Sequence, residues 1–485
     1  MPAAPVRTGF LEEGGRAVEQ TSHGGGHHQG DGPHVSGGSL RARRDVSVIR
    51  RSLRRLVLPL LGLEIVKDQP SDHDHDDGIL PPGIERSDHR FGGGYLYRAG
   101  ELLVTQGDHS LLRRELRRNR IRLAPGEPEP IEGTRLVRVL LHADEPGIVP
   151  EVVSFLRGID LGDRAALEVF PDHVLVGASH PKPYPCDSPK ADGSLAALSE
   201  KPGELLGAGV RVAVLDSGVV TGHSWLGTRA EPLDPTTDVE RPELLNGALR
   251  RYSGHGTFAA GVVLQCAPGA KVLAKRVFGG DGLISDTQLG AALRALPADI
   301  DVINLSLGGA THDNIGLPAT EAALEELAQR QPRPVVVAAA GNEGATQQTY
   351  PAAFKDVIAV GAYQVPGGGR TCFSNHGSWV DACAMGRRVR STFFEDLDAT
   401  PEPIPPTCLA DPPPGQQQFR GLATWSGTSF AAPCVAGAIA AKMTEQVPNL
   451  DAVQAAFELV YANGLQKHPT GDLGTIVACA GRGVD

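Results

Sequence analysis

No apolar run among the 485 residues approaches the length of a membrane-spanning helix, so none is expected. The first residues carry neither a basic-then-apolar pattern nor a small-residue cleavage site, which argues against a secretory leader. Arg54-Arg55 followed by Leu56 to Leu63 is a poor substitute for one, being short and broken by Pro59. Positive charge is also scarce. Lysine and arginine total 46 against 57 aspartates and glutamates, a net of −11, which excludes a general nucleic-acid binder. Aromatic residues make up only 5% of the chain. The seven cysteines are odd in number, and no spacing among them matches a zinc site. Cys266, Cys372, Cys383 and Cys434 lie in apolar or small-residue contexts, where a cysteine acts as a small buried hydrophobe. Reduced thiols in a cytoplasmic protein are the simpler expectation, with a Cys372–Cys383 disulfide second.

Glycine and proline, by contrast, are plentiful, at 60 and 38 residues. Their excess falls in the N-terminal region and the loops, and the length exceeds that of one domain. Residues 1–90 read as disordered and low in complexity, with glycine runs and scattered His23, His27, His28 and His34. Within them, residues 41–63 set seven arginines against Val46, Ile49, Leu53, Leu56, Val57 and Leu60 at helical spacing. Such a basic amphipathic segment suits docking on an acidic protein face; peripheral membrane contact is the other reading. The run Asp72 to Asp77 reads as a solvated linker ahead of Pro81-Pro82-Gly83.

A globular pattern returns at 91–180. Strands are expected at Glu101 to Thr105 and Arg135 to Leu141, helices at Ser110 to Asn119 and Ile148 to Arg157. One or two closing strands follow at Leu167 to Phe170 and His173 to Ala178. Residues 181–204 are linker-like. From 205 to 462, strands near 210–215, 271–277, 301–305, 334–338 and 357–361 alternate with helices near 255–265, 286–296, 318–330 and 428–445. That alternation predicts an α/β fold with a mostly parallel, doubly wound sheet. Residues 463–485 read as a tail.

Three stretches carry the candidate chemistry. Arg211 to Asp216 is a short apolar run ending in a carboxylate and a turn glycine, where open α/β sheets place ligands; a turn aspartate is the plain alternative. Gly254-His255-Gly256-Thr257 sets a histidine at the start of a small-residue helix, and alone it would read as a cap neighbour. Ser426-Gly427-Thr428-Ser429 leads into a second small-residue helix, with Pro433 assigned to its first turn. Ser429 would then stand at a helix N-terminus, beside unpaired N–H groups and the positive end of the dipole. A capping serine is the plain alternative.

In the order Asp, His, Ser, these segments resemble the subtilisin-like serine proteases, the subtilases. The matched patterns are Asp-Ser-Gly, His-Gly-Thr-x-x-Ala-Gly and Gly-Thr-Ser-x-Ala-x-Pro. Val335 to Gly344, a strand followed by Gly-Asn, and Asp301 to Gly309 match two further family segments. The resemblance covers roughly residues 205–460. It implies a serine endopeptidase with Asp216, His255 and Ser429 as triad and Asn342 as oxyanion donor. It also implies a peptide cleft walled by Ser306, Leu307 and Gly308, with Ala338, Ala339, Ala340 and Gly341 opposite. Residues 91–180 resemble in order and length the small ferredoxin-like pro-domain of that family, whose C-terminal tail occupies the cleft. The corresponding tail would lie near Ser179 to Tyr184. No cofactor is implied: the helix from His255 runs straight into Ala267 to Lys271, without the calcium loop that interrupts it in many subtilases. The partner implied is a protein or peptide substrate. An added Pro-rich stretch, Pro401 to Pro414, lies between Asn342 and Ser429, within an insertion spanning 387–423. A ligase or macrocyclase on the same fold, shielding its acyl-enzyme with that insertion, is one alternative. A binding protein with a relic site is another.

Overall fold

The structure, a computed structural model, describes residues 80–87, 94–142, 147–162, 165–177, 186–194, 198, 205–364, 368–404, 408–409 and 415–478. The expectations for residues 1–63 and 72–77 lie outside them, as do those for 179–184 and much of the 181–204 linker.

The N-terminal part is an antiparallel sheet with two helices. Strands β1 (Ile84–Arg86), β2 (Leu96–Thr105), β3 (Glu129–Pro130), β4 (Leu136–Leu140) and β5 (Val169–Val176) run in the order β5-β2-β4-β3, with β1 also paired to β2. Helices α1 (His109–Arg118) and α2 (Ile148–Arg157) bury Leu112, Leu116, Val149, Val153 and Leu156 with Leu102, Val104 and Val169 of the sheet. The apolar residues recur at helical spacing on one face, and arginines occupy the other face of α1. Two features differ from expectation. The region starts before residue 91, because β1 belongs to its sheet. Of the one or two closing strands expected there is one, β5, which runs unbroken through Pro171.

The larger part is built on β6 (Arg211–Asp216), β7 (Ala230–Pro232), β8 (Lys271–Arg276), β9 (Leu283–Ser285), β10 (Val302–Leu305), β11 (Val335–Ala339), β12 (Val357–Tyr363), β13 (Ala382–Met385) and β14 (Thr475–Ile476), of which all but β9 form one eight-stranded sheet. Its order is β14-β13-β12-β11-β10-β6-β8-β7 and every pairing in it is parallel. Parallel strands need crossovers, and these are the helices α3 (His255–Cys266), α4 (Asp286–Arg294), α5 (Pro318–Ala328) and α6 (Thr428–Met443). Alternate residues of each strand feed opposite layers. Val212, Val214 and Val337 join α3 and α6, whereas Ala213, Leu215 and Val336 join α4 and α5. The doubly wound α/β arrangement is therefore present, and its strands are buried on both faces, as their apolar runs require. Residues 463–478 are more than a tail, because β14 extends the sheet at β13.

Three further corrections concern local structure. Pro433 sits in the second turn of α6, not the first. It leaves the Ser429 carbonyl without its helical donor, and Ser306 Oγ donates to that carbonyl instead at 2.7 Å. Cys372 is bonded to Cys408 and not to Cys383, which is a buried thiol on β13. The disulfide closes a loop of 36 residues and ties the Pro-rich stretch to the segment beside Gly344. The insertion is not a detached loop. Val389–Thr392 pairs with Gly421–Trp425, which pairs in turn with Lys190–Ser194, and Leu397–Pro401 pairs with Ala248–Leu249.

Candidate active site

Asp216 is the last residue of β6, His255 the first of α3 and Ser429 the second of α6, so the ends of three elements converge. Both Asp216 oxygens receive the His255 Nδ1, at 2.8 and 2.9 Å, and all three side chains are buried. Ser217 N and Oγ also donate to Asp216 Oδ1, at 2.7 and 3.2 Å. A carboxylate that accepts from Nδ1 fixes the histidine tautomer with Nε2 as the basic nitrogen. Four aromatic rings enclose the imidazole: Phe430 at 5.0 Å, Trp425 at 5.3 Å, Tyr252 at 5.7 Å and Phe278 at 6.3 Å between centroids. They hold the ring and exclude water around it.

The glycine of His-Gly-Thr has a steric cause. A Cβ on Gly256 would strike the carbonyl oxygen of Gly218, the glycine of Asp-Ser-Gly. The two motifs therefore interlock through backbone contact. Beneath them lies Glu240, which nothing in the sequence singled out. Its carboxylate accepts from Gly254 N at 2.8 Å, Thr257 N at 3.0 Å, and the hydroxyls of Thr257 and Ser217. Gly254 has no side chain to cap α3, so Glu240 supplies that function from a distant segment. Burial, together with the negative charge of Asp216, pushes its pKa up to about 7 against the pull of the Ser217 and Thr257 hydrogen bonds.

Asn342 lies just beyond β11. Its Oδ1 accepts from Thr428 N at 2.9 Å and Thr428 Oγ1 at 3.0 Å, while its Nδ2 is buried without an acceptor. A buried amide donor without a partner is costly unless a ligand supplies one. The hydrogen bonds at Oδ1 hold the Asn342 amide against the start of α6, where the backbone N–H of Ser429 belongs to the helix's first turn.

The expected cleft residues divide by role. Ser306 is fully buried, and its hydroxyl braces α6 while accepting from Asn304 Nδ2 at 2.9 Å. Leu307 packs in the same apolar cluster as Leu175 and Leu289. Gly308 exchanges two backbone hydrogen bonds with Val176, at 3.0 and 2.9 Å. Ala338 and Ala339 close β11 and are buried; Gly341 N donates to Thr428 Oγ1 at 3.1 Å. The Ala340 carbonyl accepts from Thr349 Oγ1 and Asn375 Nδ2.

The cleft is filled by the chain itself. β5 pairs antiparallel with β9 on one side, Leu175 opposite Ile284, and meets Gly308 on the other. Gly177 N donates to the Gly282 carbonyl at 2.9 Å, and Ser429 Oγ donates to the Gly177 carbonyl at 2.9 Å. The Ser429 hydroxyl's hydrogen bond thus goes to Gly177, and none joins Ser429 to His255 among the described residues. Composition and motif gave no signal for Gly177, Tyr252 or Phe278; the tail that the resemblance implied, near Ser179 to Tyr184, lies outside the described residues.

The model of the subtilase family matches residues 207–467. Subtilisin BL of Lederbergia lenta is 33% identical over 266 residues, 52% of this chain and 81% of that protein. Thermitase of Thermoactinomyces vulgaris is 32% identical over 265 residues, again 52% and 81%. Among solved structures, fervidolysin from Fervidobacterium pennivorans, a keratinolytic enzyme related to subtilisin, aligns with a TM-score of 0.49 at 20% identity. That alignment covers 83% of this chain and 62% of the other.

Proposed function

From the premise that the chain belongs to the subtilase family and is a serine endopeptidase, we propose that Ser429, His255 and Asp216 are its catalytic triad. In this mechanism Ser429 Oγ attacks the substrate carbonyl carbon as His255 Nε2 takes the hydroxyl proton. Asp216 stabilises the imidazolium so formed. The oxyanion receives Asn342 Nδ2 and the Ser429 N–H. Collapse of the adduct breaks the peptide bond, with His255 returning its proton to the leaving amine. Water, deprotonated by the same histidine, then hydrolyses the acyl-enzyme. The buried Asp216–His255 pair, whose imidazole lies 5.0 Å from the ring of Phe430, the residue after a serine on a helix start, is the observation that supports this reading.

We further propose that the enzyme is made as a zymogen, in which residues 84–177 form a ferredoxin-like pro-domain. Support comes from β5, which lies in the cleft as an extended substrate would, backbone-paired on both edges. Self-processing is then expected at the bond after Gly177 or the next one. The test is an intact-mass time course of the full-length protein beside Ser429→Ala, with and without a fluorophosphonate probe. Wild type should split at that junction and then gain the probe mass, and Ser429→Ala should do neither. Equal labelling of both proteins would refute the role of Ser429, and cleavage of both would refute self-processing. Mass spectrometry of peptide products separates hydrolysis from transfer to an amine.

A further inference from the structure

Gly177 stands against two rings. A Cβ built on it would lie 2.8 Å from Tyr252 Cδ1, 3.0 Å from Tyr252 Cε1 and 3.0 Å from Phe278 Cζ. Separations of this size are shorter than side-chain packing tolerates, so the rings would have to retreat. They have little room to do so. Tyr252 is fully buried, and its opposite edge presses on Gly282, where a Cβ would strike the ring. It also borders Phe278 at 6.1 Å and the imidazole of His255 at 5.7 Å, which cannot move without disturbing the bond to Asp216. The backbone of Gly177 cannot withdraw either. It is held at both ends, by the Gly282 carbonyl through its N–H and by Ser429 Oγ through its carbonyl. Two residues earlier the cleft has the opposite character. Leu175 is fully buried in a cluster with Ile284, Leu289 and Leu307 and reaches Gly309, where a Cβ would sit 3.2 Å from Leu175 Cδ2.

We propose that the active-site cleft selects glycine at the position Gly177 occupies and a large aliphatic residue two positions before it. Tyr252 and Phe278 are the residues that exclude a side chain. Resting on the protease reading above, this names the substrate class: extended peptides with an aliphatic-x-Gly sequence at the point of cleavage. A pocket that receives a side chain discriminates by shape, whereas this position discriminates by having no volume beyond a hydrogen atom. One methyl group is enough for rejection.

The test uses the self-processed wild-type enzyme and quenched fluorescent peptides spanning Val174 to Ser179, with glycine, alanine, serine or leucine at the position of Gly177. The glycine peptide should be cleaved with a kcat/KM about ten- to a hundredfold above that of the alanine peptide, and the leucine peptide more slowly still. In Tyr252→Ala, and separately in Phe278→Ala, the alanine-to-glycine ratio should rise about tenfold. Equal cleavage of the glycine and alanine peptides by the wild type would overturn the glycine selection and leave the protease reading standing. No cleavage of any peptide, with no fluorophosphonate labelling, would overturn both. Replacing the leucine by aspartate in the glycine peptide should lower kcat/KM at least tenfold, and an unchanged value would overturn the aliphatic requirement.

Discussion

Glu240→Ala is the substitution that most directly examines how this site is held. Glu240 is the shared acceptor for two backbone N–H groups at the start of α3 and for two hydroxyls. Removing it leaves Gly254 N, Thr257 N and the Thr257 hydroxyl without that acceptor, whereas Ser217 Oγ can still donate to Asp216. Three orphaned donors at about 1–2 kcal/mol each, offset in part by no longer burying a carboxylate, give a loss of about 3–5 kcal/mol. In a domain of this size that lowers Tm by roughly 10 °C. The measurement is thermal and urea unfolding in the Ser429→Ala background, which prevents self-digestion, with kcat taken in the active background. Glu240→Gln keeps one accepting oxygen and should lose about half as much. It also tests the ionisation. The folded pKa, up to about 7, lies above the ordinary 4.5, so this group's contribution is complete below 4.5 and is lost as pH rises through 7. The Gln variant should therefore have a flatter stability profile between those values. A Glu240→Ala protein within about 1 kcal/mol of its parent, with kcat unchanged, would refute the reasoning.

Further predictions concern the oxyanion site, the N-terminal sheet and the disulfide. Asn342→Ala should cut kcat by about two to three orders of magnitude with KM nearly constant, because the donor acts only on the transition state; equal changes in both would count against it. In docking of the cleaved N-terminal segment, two buried groups should oppose each other between about pH 4 and 6.5. His173, held down to about 3 by burial and by His312, weakens docking as pH falls below 6.5. Asp172, pushed up to about 7 by burial and by Asp286, weakens docking as pH rises from 3.8 through 7. The other facing groups are Arg138 on β4, Glu101 on β2, and Thr287 on α4. Asp172→Asn should make acid release the segment and His173→Gln should make acid retain it, read as fragment dissociation against pH; identical slopes would reject the idea. Cys408→Ser should lower stability by up to about 4 kcal/mol, the chain-entropy value for a loop of 36 residues, and a peptide map without reduction should recover Cys372 with Cys408.

The parts of this protein that were legible in the sequence are those whose cause is local. Asp216 ends a strand buried on both faces, which requires an uninterrupted apolar run. His255 and Ser429 start helices made of small residues, because α3 and α6 pack closely: a Cβ on Gly437 would meet the Val263 backbone. Each motif is a few consecutive residues doing one steric job, so its identity survives without knowledge of the rest. Apolar runs in the strands and helical spacing in α1 and α2 likewise placed main elements of both parts.

What the tertiary structure alone decided is everything joined across distance. Glu240, Tyr252 and Phe278 come from irregular stretches with no periodicity, and each acquires its role from a neighbour remote in the chain. Cys372 finds Cys408 and not Cys383, because pairing follows the path of the backbone and not the likeness of contexts. Pro433 is tolerated in the second turn because Ser306, just after β10, serves the carbonyl left without its helical donor. Gly177 looks like any turn glycine until β5 is laid between β9 and Gly308, where two buried rings leave no space for a methyl group. A sequence records the residue types that local geometry demands. It does not record which of them will meet, since those contacts depend on the folded path of segments that share no pattern.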